Sequence, residues 1–477
     1  MASEAHLSIY DAVVGPILGT PFYHLAVECV LVLGLLYLIF FSKSYRMRST
    51  KETFTPQEEE ELIRDWQPEP LVPLPSADAV QVLPERIISG TPGPFAVVNG
   101  KRCLNLSSFN FLGFLGNREI EDAATKSVRK YGVGSCGPRG FYGTFDVHLD
   151  LESKLAEFTG TQEAILYAYA FSAIASAIPA YSKRDDIIFA DEGVHFAIQK
   201  GLQASRSTVK YFRHNDMDHL ESLLKKQKEE DMKNPKKAQA TRQFMVVEGL
   251  YINYGDICPF PKLVELKYKY KVRLFVDETI SFGSLGPNGC GVTEHFEGEK
   301  YGIKDVDLMS GSLEHAVASI GGFCCGTSYV VDHQRLSGTG YVFSASPPPL
   351  LVESAIVGLK LMAEKKGMFT DLRFQSRFLR KQLEGIEGMS VEGDPVSPII
   401  HLRCVAVAEE RQEDEVLQQI VDRAYNQNVL LTRAEYLQEE RNMPKPSIRL
   451  AVCLSHSEDE MREAARVIKQ AAKDVLG

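Results

Sequence analysis

From about Asp150 onward, short apolar runs alternate with segments of helical period, and this alternation restricts the fold more than any other feature of the chain. AILYAYAF, DIIFAD, VKYF, FMVVEGLY, RLFVDE and DLMSG are each of strand length, with polar or small residues at their C-terminal ends. Such alternation predicts a mostly parallel sheet with helices on both faces. In sheets of this kind ligands gather beyond the carboxyl ends of the strands, so those end residues are the first candidates for chemistry. Upstream, VVNGKRCLNLSSFNFLG predicts a hairpin turned at Asn99–Gly100 and then a further strand. From about Leu351 a long helical pattern is followed by the strand-like runs SPIIHLRC and SIRLAVCL and by an amphipathic terminal helix starting near Ser457. The expectation is a large domain over residues 87–350 and a smaller α+β domain over 351–477.

The N-terminal part has a different character. The first 42 residues contain no Lys or Arg, and the apolar run from Phe22 to Phe41 is followed by Lys43, Arg46, Arg48 and Lys51. About 20 mostly apolar residues can cross a bilayer as one helix, and the trailing positive cluster puts the bulk of the chain on the cytosolic side. A cleaved signal peptide would carry its basic residues ahead of the run; a buried soluble helix is the other alternative. The sequence thus predicts a lumenal segment 1–21, a transmembrane helix 22–42 and an acidic, Pro-rich connector 43–86. Within the connector, EEEELIRDW predicts a short helix stopped by the prolines after Trp66. A net charge of -10 argues against nucleic acid as the main partner. Nine scattered cysteines with no CxxC or zinc spacing argue for a reducing compartment and against a metal site.

Several motifs then fall in a fixed order: the glycine-dense GVGSCGPRGFYGT, the adjoining GTFDVHLDLE, ADEGVHFAI, FVDETISFG, DLMSGSLEHAVASIGGF, YVFSASPPPL and PSIRLAVCL. Together they make the chain, from about Ser107 to the C-terminus, resemble the α-oxoamine synthases, pyridoxal-phosphate enzymes that condense an amino acid with an acyl-CoA. Gly143, Thr144, His148, Leu151 and Glu152 match the family's GT-x-x-x-H-x-x-LE signature. The resemblance implies a fold-type I pyridoxal-phosphate-dependent transferase with a smaller C-terminal domain, preceded here by one transmembrane helix.

The resemblance also assigns site residues. His195 matches the histidine that stacks on the cofactor ring, and Asp277 the aspartate that pairs with its pyridine nitrogen. Ala170–Phe171–Ser172 matches the helix start whose amides face the cofactor phosphate. Arg449 matches the arginine that clasps the substrate carboxylate. Ser344 and Ser346 match a loop reaching the phosphate held by the partner chain, and Cys136, Arg139 and Tyr142 lie near the dimer seam. At the position of the cofactor-binding lysine stands His315, and no lysine occurs from Asp305 to Leu359. Imidazole cannot replace a primary amine in covalent attachment of the cofactor aldehyde. Where the family has a second histidine, two residues past Glu278, this chain has Ile280.

A lysine-less body behind an N-terminal anchor resembles the non-catalytic subunits of the enzymes that condense L-serine with palmitoyl-CoA to 3-ketosphinganine, the first step of sphingolipid synthesis. That implies residence at the endoplasmic reticulum membrane and a lysine-bearing catalytic partner that binds pyridoxal phosphate covalently, with a small activating subunit and regulators. His195 and Asp277 would then be remnants of this chain's own pocket. The alternatives are a membrane scaffold with no share in any active site, and an autonomous CoA-dependent acyltransferase, against which the missing lysine speaks.

Overall fold

The computed structural model describes residues 21–40, 54–68, 70–71, 85–296, 300–406, 410–437 and 439–477. The chain divides into two units, Met1–Pro84 and Glu85–Gly477. In the first, a helix spans Phe22–Phe40 and a second spans Pro56–Asp65. The second is the one expected in the connector. The Thr55 hydroxyl accepts from the Glu58 amide and the Thr55 amide donates to the Glu58 carboxylate (2.8 Å), a reciprocal pair that satisfies two otherwise open donors. Among the described residues, no helix is long and apolar enough to cross a membrane. The segments 1–20 and 41–53, on which the lumenal stretch and the trailing basic cluster fall, lie outside the described residues.

The second unit begins with β1 (Ile88–Ser89), β2 (Phe95–Val98) and β3 (Lys101–Asn105). β2 and β3 form the expected hairpin, with Val98 opposite Lys101 and both Asn99 (φ 51°) and Gly100 (φ 80°) in the left-handed region that a tight turn requires. The seven central strands are β4 (Glu163–Tyr167), β5 (Ile187–Asp191), β6 (Thr208–Phe212), β7 (Gln243–Glu248), β8 (Arg273–Asp277), β9 (Leu308–Ser312) and β10 (Gly322–Gly326), in the order β4-β10-β9-β8-β7-β5-β6. β5 to β9 are parallel, and β10 runs antiparallel to both β4 and β9. β7, β8 and β9 are buried nearly throughout, as strands covered on both faces must be, which is why they read as continuous apolar runs.

Two differences from the sequence reading affect the site. AILYAYAF is not one strand: β4 stops at Tyr167 and Ala170 opens the helix Ala170–Tyr181. GFCCG, which has no alternation and two glycines, is strand β10. Gly322 is needed there because a Cβ would lie 2.5 Å from the Ala170 Cα. The close approach ties the loop between β9 and β10 to the start of that helix.

Toward the C-terminus, β11 (Met389–Glu392), β12 (Ile399–Cys404), β14 (Thr432–Arg433) and β15 (Ile448–Ala451) form a sheet in the order β11-β12-β15-β14, while β13 (Val429–Leu430) joins β3 in parallel. The helix Glu458–Leu476 starts at Ser457 with the expected acidic first turn and packs against the helices Gly367–Leu383 and Glu410–Asn426.

Candidate functional site

The carboxyl ends of the parallel strands carry Asp191, Glu248 and Asp277, all buried. The loop after β5 brings His195 over the last two. His195 caps the helix Phe196–Ser205: its Nδ1 accepts from the Ala197 amide (3.2 Å), so the proton toward Asp277 is on Nε2, 3.4 Å from Oδ2. Glu248 accepts from the His195 amide (2.7 Å) and the Ile252 amide (3.1 Å). Burial works against a charged imidazole, but Glu248 and Asp277 outweigh it and raise the pKa of His195. Burial also lifts Glu248 to about 7. Asp277 stays low despite burial, because His195 and Thr279 donate to it. Its neighbour Glu278 points to the other face of the sheet, where it takes the amides of Val292 (2.9 Å) and Thr293 (3.4 Å). Glu278 is a structural acid, whereas Asp277 faces the site.

His315 lies in the β9–β10 loop and shares this pocket: the charges of Arg449, Asp277 and His195 all act on it. Its ring packs edge-on against Phe109 (5.0 Å between centroids) and near Phe111 (6.3 Å), and its carbonyl accepts from the Phe111 amide (3.0 Å). A little of its surface stays accessible, yet the dense surroundings and then the Arg449 charge bring its pKa down to about 4. It is therefore neutral at physiological pH. Arg449 lies over the same Phe109 ring, 4.8 Å from its centroid, and has no carboxylate partner among the described residues. The structure thus unites His195, Asp277, His315 and Arg449. Glu248 and Phe109, which the sequence reading did not single out, complete the pocket. Glu248 was legible only as one more polar strand end, and Phe109 only as one aromatic of SSFNF.

The fit to pyridoxal phosphate is incomplete. The Asp277–His195 pair suits a cofactor ring, but His315 cannot attach it and Ile280 is wholly apolar and buried. The start of the helix Ala170–Tyr181 has no side-chain cap from Tyr169, and the hydroxyl of Ser172 turns back to the Tyr169 carbonyl (2.8 Å). Burial holds the carboxyl of Glu314, in the β9–β10 loop, above the usual carboxylate range. The residues do not fit a covalently held cofactor in this chain.

The signature motif is structural. Arg139 makes a two-pronged ion pair with Glu152 (2.8 and 3.0 Å), both side chains almost fully buried, and Glu152 also accepts from the Leu166 amide (3.0 Å). Arg139, grouped with the seam residues from sequence, is therefore committed inside its own chain. His148 accepts the Phe145 amide (2.9 Å) at Nδ1 and meets the Pro347 carbonyl (2.8 Å) at Nε2. Ser346 is buried with its hydroxyl on the Gly143 carbonyl, so within this chain it anchors the glycine-dense loop. Ser344, half-exposed, donates to the Gly340 carbonyl. Cys136 (φ 61°) and Tyr142 (φ 64°) are exposed and both left-handed, a costly conformation for residues other than glycine. Phe141 is exposed beside them.

The architecture is that of pyridoxal-phosphate-dependent transferases. Residues 101–468 match the aminotransferase class I and II family. The chain is 43% identical to "Serine palmitoyltransferase 1" of Dictyostelium discoideum, over 89% of this chain and 89% of that protein. It is 40% identical to "Long chain base biosynthesis protein 1" of Arabidopsis thaliana, over 93% of this chain and 91% of the other. Among solved structures, a Lys-to-Ala variant of serine palmitoyltransferase from S. paucimobilis, with a bound PLP–myriocin aldimine, is 23% identical, has a TM-score of 0.73, and aligns over 82% of this chain and 93% of that one. The chain belongs to the class I and II aminotransferase family and, within it, to the family of serine palmitoyltransferase 1 and long chain base biosynthesis protein 1.

Proposed function

We propose that this chain is the non-catalytic subunit of a serine palmitoyltransferase and works in sphingolipid long-chain-base synthesis beside a lysine-bearing partner. The observation that carries the reading is a pocket that keeps Asp277, His195 and Arg449 around a neutral imidazole, His315, in place of a lysine. The names of its relatives support the reaction, condensation of L-serine with palmitoyl-CoA to 3-ketosphinganine. The partner, a long-chain-base subunit 2, holds pyridoxal phosphate on its own lysine, and the cofactor supplies the electron sink for carbon–carbon bond formation. This chain contributes the Cys136–Tyr142 loop and the Ser344 segment to the shared seam, and it is inactive alone. The exposed Phe141, Tyr142 and Phe343 support a covered face there.

The reading includes an anchor. The helix Phe22–Phe40 is 19 residues long, about 28 Å at 1.5 Å per residue, and its described apolar side chains from Val27 to Leu38 are exposed. In this reading the whole apolar run Phe22–Phe41 of the sequence, which extends past the described helix, crosses the endoplasmic reticulum membrane once and holds the body on the cytosolic side, within reach of a small activating subunit and ORM-like regulators. Co-expression with the lysine-bearing partner tests the reading. Each chain alone should give no 3-ketosphinganine and the pair should give it; turnover by this chain alone would overturn the proposal.

A further inference from the structure

We infer that His214 is a positioning residue: held between Asp191 and Asp256, it pins the loop 249–258, and through that loop it keeps the two walls of this chain's pocket together. The inference goes beyond the non-catalytic reading and does not depend on it, since it concerns how the pocket is held assembled within the chain itself.

The two walls come from different sheets. Glu248 and Asp277 end strands of the central sheet, whereas Arg449 lies on β15 and stands opposite His401 of β12 in the C-terminal sheet. The loop 249–258 leaves β7 immediately after Glu248 and ties one wall to the other. Its Ile252 amide donates to Glu248 (3.1 Å). Its carbonyls accept from the C-terminal part of the chain: Ile252 from His401 Nε2 (2.9 Å), Asn253 from Arg403 (3.3 Å) and Gly255 from the Asp394 amide (2.9 Å). At Gly255 a Cβ would lie 2.8 Å from the Ile399 carbonyl oxygen, so the tip of the loop sits on β12. On the central-sheet side the loop is held by His214, in the turn after β6. The His214 Nδ1 lies 2.8 Å from Asp191 and its Nε2 3.0 Å from Asp256, and the ring stacks on Tyr254 (4.1 Å between centroids). With a carboxylate on each nitrogen, both nitrogens are protonated donors and the side chain is an imidazolium. Burial opposes that charge, but Asp191 and Asp256 outweigh it. Asn215 adds bonds to Asp256 (3.3 Å) and to the Ile257 carbonyl (3.2 Å). Asp191 also accepts from the amides of Gly193 (2.7 Å) and Asn215 (2.8 Å), so it keeps partners when His214 is changed.

The test is labelling of the full chain in detergent with diethyl pyrocarbonate, which acylates neutral imidazoles it can reach, read residue by residue by mass spectrometry. Burial keeps His315 in the pocket and His401 at the loop neutral. His148, held between the Phe145 amide and the Pro347 carbonyl, is the control. Wild type should label slowly at all three. His214→Phe keeps a ring against Tyr254 and removes both ionic bonds. It should label His315 and His401 on the order of tenfold faster and leave His148 unchanged. Asp256→Asn, which keeps an acceptor for Nε2, should restore much of the wild-type protection. If His214→Phe does not fold, Asp256→Ala, at a half-buried position, is read in the same way. Wild-type rates at His315 in the folded variants would overturn the proposal, whether or not His401 labels faster, because the loop would then move without the pocket. An equal rise at all three histidines would also overturn it, since His214 would then support the fold as a whole and not the pocket.

Discussion

Arg139 and Glu152 hold each other with both side chains buried, and without Arg139 the Glu152 carboxylate keeps the more distant Arg335 (3.8 Å) and the Leu166 amide. Arg139→Ala should therefore cost toward the lower end of about 3–5 kcal/mol, with the double change to neutral, well-packed residues costing less; denaturant unfolding of the soluble body measures both. His315 makes a prediction of the opposite kind. Its folded pKa of about 4 lies below its ordinary 6.5, so between those values the unfolded chain binds more protons. The contribution is fully present above about pH 6.5 and is lost as the pH falls through 4, a span worth on the order of 3 kcal/mol. Glu248, raised to about 7, acts with the opposite sign, its stabilisation being lost as the pH rises through that value. Comparing wild type with His315→Asn isolates the first effect: the variant should lose less stability on acidification, and equal losses would contradict the assigned neutrality. His315 itself was legible in the sequence, because a missing lysine is conspicuous within a family pattern. Glu248 was not, because a polar strand end carries no mark until the fold brings His195 onto it.

The elements show the same division. The parallel strands were readable from their apolar runs because burial on both faces leaves little choice of residue. β10 escaped because Gly322 and Gly326 at its ends answer to close backbone approach and its middle, Phe-Cys-Cys, has no strong period. The glycine-dense loop was read as a seam, but Arg139 turned inward while Cys136 and Tyr142 turned out, a choice fixed by Glu152 and not by the loop's own sequence. Cys136 sits at φ 61° among glycines, where a small side chain is carried at modest strain. Cys136→Ala, assayed with the catalytic partner, should keep most activity. Cys136→Trp should lower activity more than it lowers assembly, since overfilling a packed seam costs about 1–3 kcal/mol and shifts the neighbouring loops. Equal and near-complete loss in both would mean that the thiol has a chemical role. At the other end of the chain, deleting residues 1–42 should release the body from carbonate-resistant membranes while leaving it folded, because the connector helix Pro56–Asp65 buries none of its residues. A truncated chain that remains in the membrane pellet without aggregating would contradict the single anchor.

The whole molecule is a transferase fold whose own pocket keeps its walls around an imidazole. The strand-end acid Asp277, its histidine partner and the arginine over Phe109 surround His315, which offers no primary amine. Reduction with borohydride in the presence of pyridoxal phosphate, followed by peptide mapping of this chain alone and of its complex with the lysine-bearing partner, examines that claim directly. A stoichiometric pyridoxyl-lysine should form on the partner and none on this chain in either sample. A stoichiometric adduct on any single lysine of this chain would contradict it.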